Sequence, residues 1–213
     1  MANITVIGGT GYAGSAIVAE AAKRGHHVTA ISRNAPADPM EGVTYVQGSA
    51  LDPALQARAF EGADFVISTT SPRGDMAGQV LELNTALSAR AAETGVQLAV
   101  VGGYMSLRQG PGAPRYAEGQ ISERFRAEAL EGFAVLEALV ASKPAADWIF
   151  ISPAANFGAY APGEATGRYR LGGDVALRDE NGVSAISAPD FALALLDAIE
   201  SDDHHRAHIS AAY

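Results

Sequence analysis

Two kinds of apolar run alternate along most of the chain. Short runs resembling "NITVI" are apolar almost throughout, and longer runs rich in alanine, leucine and glutamate separate them. Short, continuously apolar runs are typical of strands covered on both faces, and the longer runs have the length of helices. The alternation therefore predicts an α/β protein built on a Rossmann-type, doubly wound parallel sheet.

The apolar runs predict six strands and four helices in the first 152 residues. Strands are expected within residues 3–8, 26–32, 43–48, 63–69, 96–103 and 146–152. Helices are expected at 12–24, 53–61, 77–94 and 122–142, and Gly25, Gly95 and Pro144 follow three of them as stop signals.

The pattern becomes irregular after Ser152. A loop rich in glycine, proline and alanine precedes three short predicted strands at 168–171, 175–177 and 183–186, the last two joined by a turn at "DENG". A further helix is expected to begin at Ser187, and a last strand lies within 205–213. We expect a single Rossmann domain over 1–213, in which 153–213 adds a small lobe on the substrate side.

Composition narrows the classes of function. The 213 residues carry a net charge of −9, which disfavours a nucleic-acid surface, and they include no cysteine for disulfide or thiolate chemistry. No apolar run has the length of a membrane span, and the first strand follows the N-terminus without a charged leader. We expect a cytoplasmic protein, monomeric or homodimeric, that acts on a small molecule.

The first strand runs directly into a glycine-rich turn. In "VIGGTGYAGSAIVAEA", the glycines at 8, 11 and 14 lie between that strand and the first helix, and 9, 11 and 14 form an overlapping motif. Glycines there let the backbone approach a pyrophosphate, and the helix N-terminus offers free amides to the anion. The alternative is a tight turn that binds nothing.

The end of the second strand indicates which dinucleotide binds. NAD sites usually carry an acidic residue there, whereas this chain has Arg33 between Ser32 and Asn34. A cation can hold a 2′-phosphate, so NADP(H) is favoured over NAD(H), unless Arg33 is merely solvated. Other strand ends should complete the site. The expected cofactor residues are Gly8, Thr10, Gly11, Tyr12, Ala13, Gly14, Ser32, Arg33, Asn34, Ser49, Ala50, Thr69, Thr70, Ser71, Gly102, Gly103, Pro153 and Ala154.

Three segments resemble a known family. "IGGTGYAGSAIVAEAAKRGHHVTAISRN" resembles the first third of atypical short-chain dehydrogenase/reductases of the NmrA-like group. "TGRYRLGGD" and "ISAPDFALALLD" resemble more specifically the proteins provisionally named NADH-flavin reductases. The resemblance covers nearly the whole chain and implies an NAD(P)-binding sheet with a small substrate lobe and a flavin as possible substrate.

The proton-transfer motif of typical short-chain dehydrogenases is missing. Neither of the two lysines, Lys23 and Lys143, lies four residues after a tyrosine. The nearest pairs are Tyr116 with Gln120 and Tyr104 with Arg108, and both can equally be ordinary loop residues. Hydride transfer to a flavin requires mainly that the nicotinamide and flavin rings are held together, without a proton-donating pair. The sequence therefore favours a flavin, quinone-like or other aromatic acceptor.

Residues after the fifth and sixth strands form the expected substrate wall. Tyr104 and Ser106 are the candidate catalytic residues, and the candidate substrate residues are Met105, Tyr116, Asn156 and Phe157. Phe157 has packing within the lobe as its alternative. His204 and His208 have a spacing compatible with a metal on a helix, but a solvated turn is favoured and no metal is expected.

Three functions remain open at this point. The first is an NADPH-dependent reductase without a Tyr-x-x-x-Lys pair. The second is a non-catalytic sensor that binds NAD(P) and responds to its redox state, as the NmrA-like resemblance allows. The third, an epimerase of nucleotide-bound sugars, is disfavoured by the small C-terminal lobe and by the missing pair.

Overall fold

One eight-stranded sheet forms the centre of the protein, which a computed structural model describes over residues 1–213. The strands are β1 Asn3–Ile7, β2 His27–Ser32, β3 Val43–Gln47, β4 Phe65–Ser68, β5 Gln97–Val101, β6 Trp148–Pro153, β7 Arg170–Gly172 and β8 Ala207–Ala212. Their order is β3-β2-β1-β4-β5-β6-β8-β7, and every neighbouring pair is parallel except β7 with β8. The carboxyl ends of seven strands thus share one edge of the sheet.

Helices cover both faces of this sheet. They are α1 Tyr12–Lys23, α2 Pro53–Phe60, α3 Val80–Thr94, α4 Glu123–Ala141 and α5 Ala188–Glu200. Buried residues of α1 and α5 form one core cluster with the sheet, and those of α2, α3 and α4 form another on the opposite face. This arrangement confirms the predicted doubly wound α/β fold. None of these helices combines the length and apolar character that crossing a bilayer requires.

Local sequence accounts for several helix ends. The Asp52 carboxylate accepts a hydrogen bond from the Ala54 amide at 2.9 Å at the start of α2, and Ser187 caps α5 in the same way. Gly95 ends α3 with a φ of 74°, which a residue with a side chain rarely adopts. By contrast, α3 begins at Val80 rather than at 77, because the Glu131 carboxylate of α4 accepts hydrogen bonds from the amides of Gly78 and Val80.

The C-terminal part differs from the prediction in two strands. The turn at 179–182 forms, with the Asp179 side chain accepting from the amides of Asn181 and Val183. The segments beside the turn do not form strands, because each pairs elsewhere: Val175 bridges Arg108 and Ala185 bridges Asn156.

The residues after Ser187 lie within the main body of the fold. Helix α5 packs on α1, and β8 inserts between β6 and β7. The irregular part of 153–213 is therefore 154–187, with β7 at the sheet edge. The Tyr12 hydroxyl donates to the Pro162 carbonyl at 3.3 Å, and this contact holds part of the irregular segment beside the N-terminus of α1.

Candidate cofactor and substrate site

The glycine turn after β1 is packed too tightly for side chains. Gly8 has a φ of +86°, and a Cβ there would lie 2.5 Å from Thr69 Oγ1. A Cβ on Gly14 would lie only 2.1 Å from the carbonyl oxygen of Gly8. Glycine at 8 allows the turn, and glycine at 14 allows α1 to approach the strand closely.

The N-terminus of α1 opens toward the carboxyl edge of the sheet. Gly11 is the N-cap residue, and no side chain caps the helix. The amides of Tyr12 to Gly14 lie in the first turn, where no carbonyl of the helix can accept from them. The Ser15 amide is the first to bond within the helix, to the carbonyl of Gly11. Such free amides, together with the helix dipole, are suited to a pyrophosphate.

A cleft of about 230 Å³ lies against this turn. It is bounded by the ends of β1, β2, β3 and β4, as expected for ligand sites in open parallel sheets. Its lining residues are Gly8, Thr10, Gly11, Ile31, Ser32, Arg33, Asn34, Gly48, Ala50, Thr69, Thr70, Ser71, Arg73 and Met76. Ten of these are among the expected cofactor residues, and the structure brings them together.

The other expected cofactor residues lie outside that lining. They are Tyr12, Ala13, Gly14, Ser49, Gly102, Gly103, Pro153 and Ala154. Gly102 has a packing reason, since a Cβ there would lie 2.1 Å from the ring of Phe150. Pro153 and Ala154 are buried at the end of β6. Their contact with a cofactor stays a prediction.

Four lining residues were not expected from the sequence: Ile31, Gly48, Arg73 and Met76. Arg73 is the important one because it brings a second cation to the cleft. Its guanidinium contacts Glu128 Oε1 at 2.5 Å, and this contact raises the pKa of Arg73 above its ordinary value. Its place two residues after the Thr-Thr-Ser end of β4 is the sequence feature that could have indicated it.

Arg33 reaches across the mouth of the cleft. Its Nη1 lies 2.8 Å from Asp75 Oδ2, in an ion pair whose side chains are 54% and 88% exposed. Ser32 Oγ donates to the carbonyl of Asn34, which shapes the backbone turn beside Arg33. An exposed ion pair of this kind contributes little stability, so Arg33 remains available to a phosphate.

A second group of polar residues lies beyond β5. The rings of Tyr104 and Tyr116 stack with centroids 4.8 Å apart. Arg178 Nη2 donates to both hydroxyl oxygens, at 2.8 Å to Tyr104 and 3.0 Å to Tyr116. We call these three residues the tyrosine cluster. The sequence suggested two pairs, Tyr104 with Arg108 and Tyr116 with Gln120. In the structure both tyrosines instead contact Arg178.

The pKa values of the two tyrosines in the cluster are shifted in opposite directions. Burial is the largest influence on Tyr104, and donation to Tyr116 also raises its pKa above the ordinary value. At Tyr116 burial also acts to raise the pKa, but hydrogen bonds from Tyr104 and Arg178 outweigh it and the net pKa is lowered. Tyr116 is therefore the more acidic phenol.

A charged network holds the loop that carries these tyrosines. Asp174 accepts from Arg108 Nε at 2.7 Å and from Arg115 Nη2 at 3.1 Å. Arg115 also donates to the Ser106 carbonyl at 2.6 Å and to His208 Nδ1 at 3.1 Å. This explains why Arg108 is not free to serve Tyr104.

His208 is the innermost member of this network. Arg115 can only donate, so His208 Nδ1 is the acceptor and Nε2–H donates to Ser152 Oγ at 2.9 Å. Burial, and then the charge of Arg115, lower the pKa of His208 to about 4. His208 is thus a neutral imidazole that holds the loop through Arg115. His204 is not among the residues that contact His208 in this network.

The remaining expected substrate residues are spread around the tyrosine cluster and α1. Ser106 is 1% exposed, so its side chain lies behind the loop surface. Met105 packs against a small cluster of Ala117, Ile121 and Ala129. Catalytic or substrate contact by Ser106 and Met105 stays a prediction.

Asn156 and Phe157 lie on the irregular segment. The Asn156 amide donates to the Ser184 carbonyl at 2.9 Å, and its side chain is exposed. Phe157 contacts the Tyr12 ring at 5.2 Å and the Phe191 ring at 4.7 Å between centroids. The packing role of Phe157 is visible, and a stacking role with a substrate stays a prediction.

Comparison with known proteins gives a consistent result. A family profile described as NAD(P)H-binding matches residues 8–202. A Burkholderia pseudomallei structure, provisionally named an exported protein, is 39% identical over all of both chains, with a TM-score of 0.86. A Streptococcus pneumoniae structure, provisionally named an NADH-flavin reductase, is 31% identical over 100% of this chain and 99% of that one, with a TM-score of 0.85.

A third relative has a different name. A Bacteroides thetaiotaomicron structure, provisionally named an epimerase, is 31% identical over 100% of this chain and 97% of that one, with a TM-score of 0.86. The names of these relatives differ in activity and compartment, so the acceptor and the cellular location expected from the sequence stay predictions. The Rossmann sheet, the glycine turn and the match over most of the chain together show that this protein belongs to the NAD(P)H-binding family.

Proposed function

We propose that the protein is an NADPH-dependent reductase that transfers a hydride to a small flavin, quinone-like or other aromatic acceptor. The observation that carries this proposal is the cleft lined both by Gly11, the N-cap residue of α1, and by Arg33 at the end of β2. A dinucleotide needs both features, one for its pyrophosphate and one for its 2′-phosphate.

The residues present fit that cofactor. Glycine at 8 and 14 lets the turn and α1 pack closely, and glycine at 11 puts no side chain at the helix N-terminus where a pyrophosphate would lie. Arg33, Ser32 and Asn34 would hold the 2′-phosphate, and Gly48 and Ala50 would flank the adenine. When bound, NADPH supplies a hydride from its nicotinamide ring.

The irregular segment supports a separate acceptor site. The part of this segment around Phe157 and Pro162 lies beside the N-terminus of α1, and the contact between Tyr12 and Phe157 presents aromatic edges there. The Streptococcus relative, whose chain is covered almost completely, carries the name of a flavin reductase. An aromatic acceptor is therefore the substrate class that we favour.

The test is an anaerobic titration with NADPH and NADH, followed by rapid mixing with FMN, riboflavin and a quinone. We expect saturable NADPH oxidation that exceeds the rate without protein for at least one acceptor. Tight NADPH binding without transfer to any acceptor would replace the reductase by a sensor. Turnover of a sugar nucleotide without net cofactor consumption would indicate an epimerase instead.

A further inference from the structure

The tyrosine cluster has no part in holding the dinucleotide as described above. Tyr104 comes three residues after the end of β5, so the cluster starts at the carboxyl edge of the sheet. Tyr116 comes from the loop before α4, and Arg178 comes from the irregular segment. Three distant parts of the chain therefore bring two phenols and a guanidinium together at the edge where the substrate is expected.

One guanidinium group serves both phenols of the cluster. Arg178 has only donors, so both phenol oxygens accept from it. Of the two phenols, Tyr116 has the lower pKa, because Tyr104 and Arg178 favour its ionised form more than burial disfavours it. Tyr116 therefore releases its proton more readily than Tyr104, and its side chain is partly exposed.

We propose that Tyr116 is the catalytic acid of this reductase, that Arg178 and Tyr104 are positioning residues that stabilise its phenolate, and that the acceptor is a conjugated carbonyl compound such as a quinone or an enone. This inference rests on the proposed function and narrows its acceptor class. A carbonyl acceptor needs a proton on oxygen as well as a hydride, whereas a flavin can take its proton from water. The cluster provides the group that a carbonyl acceptor requires.

The hydride and the proton reach the acceptor from different groups. The acceptor receives a hydride from NADPH and is reduced by two electrons, while the cofactor is oxidised. The Tyr116 O–H bond breaks, and its proton forms an O–H bond with the carbonyl oxygen of the acceptor. The phenolate left on Tyr116 accepts hydrogen bonds from Arg178 and Tyr104 until a proton from water restores it.

Other charged groups near the cluster are already paired. Arg108 and Arg115 both donate to Asp174. The Asp179 carboxylate accepts backbone amides within its own turn, and the Glu118 carboxylate accepts the Arg115 amide. Arg178 and Tyr104 are therefore the groups that set the acidity of Tyr116 from the elements packed around it.

The first test needs neither cofactor nor acceptor. Ionisation of tyrosine is followed by near-ultraviolet absorbance as the pH of the free protein is raised. We expect the most acidic tyrosine transition to disappear in Tyr116→Phe and to move to higher pH in Arg178→Leu, with Arg178→Lys in between. Tyr45→Phe, which removes a tyrosine on β3 far from the cluster along the sheet, is the matched control and should keep that transition.

The second test is anaerobic turnover of a quinone by the NADPH-loaded protein. We expect Tyr116→Phe to lower kcat by about 10²-fold or more, the usual contribution of a general acid. The dissociation constant for NADPH should stay unchanged, and the basic limb of the wild-type pH profile should be lost. Circular dichroism and thermal melting confirm that each variant folds, and Arg178→Lys should recover part of the rate lost in Arg178→Leu.

The outcomes separate the two proposals. Quinone turnover by the wild type, with Tyr116→Phe equally active or with an unchanged tyrosine titration, would overturn the role of Tyr116 and leave the reductase standing. Rapid reduction of FMN but not of any carbonyl compound would overturn the acceptor class. Absence of NADPH oxidation with every acceptor would overturn the proposed function, and this inference with it.

Discussion

Replacing Arg33 with alanine is expected to weaken NADPH binding and to leave NADH binding nearly unchanged. Arg33 lines the cleft, and its Nη1 contacts Asp75 Oδ2 at 2.8 Å. The two cofactors differ only in the 2′-phosphate of the adenosine ribose, so a cation that contacts this phosphate separates one from the other.

The size of the effect follows from the exposure of the ion pair. A hydrogen bond to a charged group contributes about 1.5–3 kcal/mol. Releasing Arg33 from Asp75 costs at most about 1 kcal/mol, because the pair is largely solvated. The difference is about 0.5–3 kcal/mol, or roughly 2- to 150-fold in the dissociation constant of NADPH.

Asp75 provides the matched control. The Asp75→Asn change removes the carboxylate that competes with the phosphate, so NADPH should bind up to about fivefold more tightly while NADH is unaffected. Calorimetric titration of both cofactors at low and high salt measures these changes, and the NADPH effect should shrink as salt screens the charges. Equal losses for NADPH and NADH in Arg33→Ala, or no loss for either, would refute Arg33 as the phosphate ligand.

Three further predictions concern packing and pH. Gly14→Ala places a Cβ 2.1 Å from the Gly8 carbonyl oxygen, so titration should show loss of both cofactors and melting should show about 1–3 kcal/mol lower stability. The Asp190 carboxylate accepts from Tyr213 and from the Thr166 and Gly167 amides, which lower its pKa despite burial. The ionised carboxylate of Asp190 therefore stabilises the fold above the ordinary carboxyl pKa, and this contribution is lost in stronger acid. Asp190→Asn should lower Tm at neutral pH, and the difference in Tm from the wild type should shrink in acid. The pKa of His208 is about 4 in the folded protein against 6.5 ordinarily, so the contribution of His208 to stability should fall by about 3 kcal/mol from pH 6.5 to pH 4. Urea titration should therefore show His208→Gln with a flatter pH dependence than the wild type.

Much of the fold could be predicted because its determinants are local. The short apolar runs gave six strands close to their observed positions, and Gly95, Asp52 and Ser187 end or begin helices through their own backbone or side chain. The strands expected at 175–177 and 183–186 were wrong. Their residues have a suitable pattern, but a strand needs several consecutive residues paired with a neighbour. Here only Val175 pairs with Arg108, and only Ala185 pairs with Asn156.

The candidate site divides in the same way. Ten cleft residues could be predicted because they follow strand ends, which any parallel sheet brings to one edge. Arg73 was missed, although its place two residues after Ser71 could have indicated it. Arg178 could not be predicted, because it meets Tyr104 and Tyr116 across 74 and 62 residues of chain.

The sequence alone therefore determined the Rossmann sheet, the glycine turn and the cation at the end of β2. These depend on hydrophobic periodicity, on glycine at positions without room for a side chain, and on the order of residues along single elements. Only the tertiary structure decided that β8 lies between β6 and β7, that Glu131 caps α3, and that Arg178 serves two tyrosines. Each of these is a contact between distant segments, and side-chain hydrogen bonds of that kind leave no periodic pattern in the sequence.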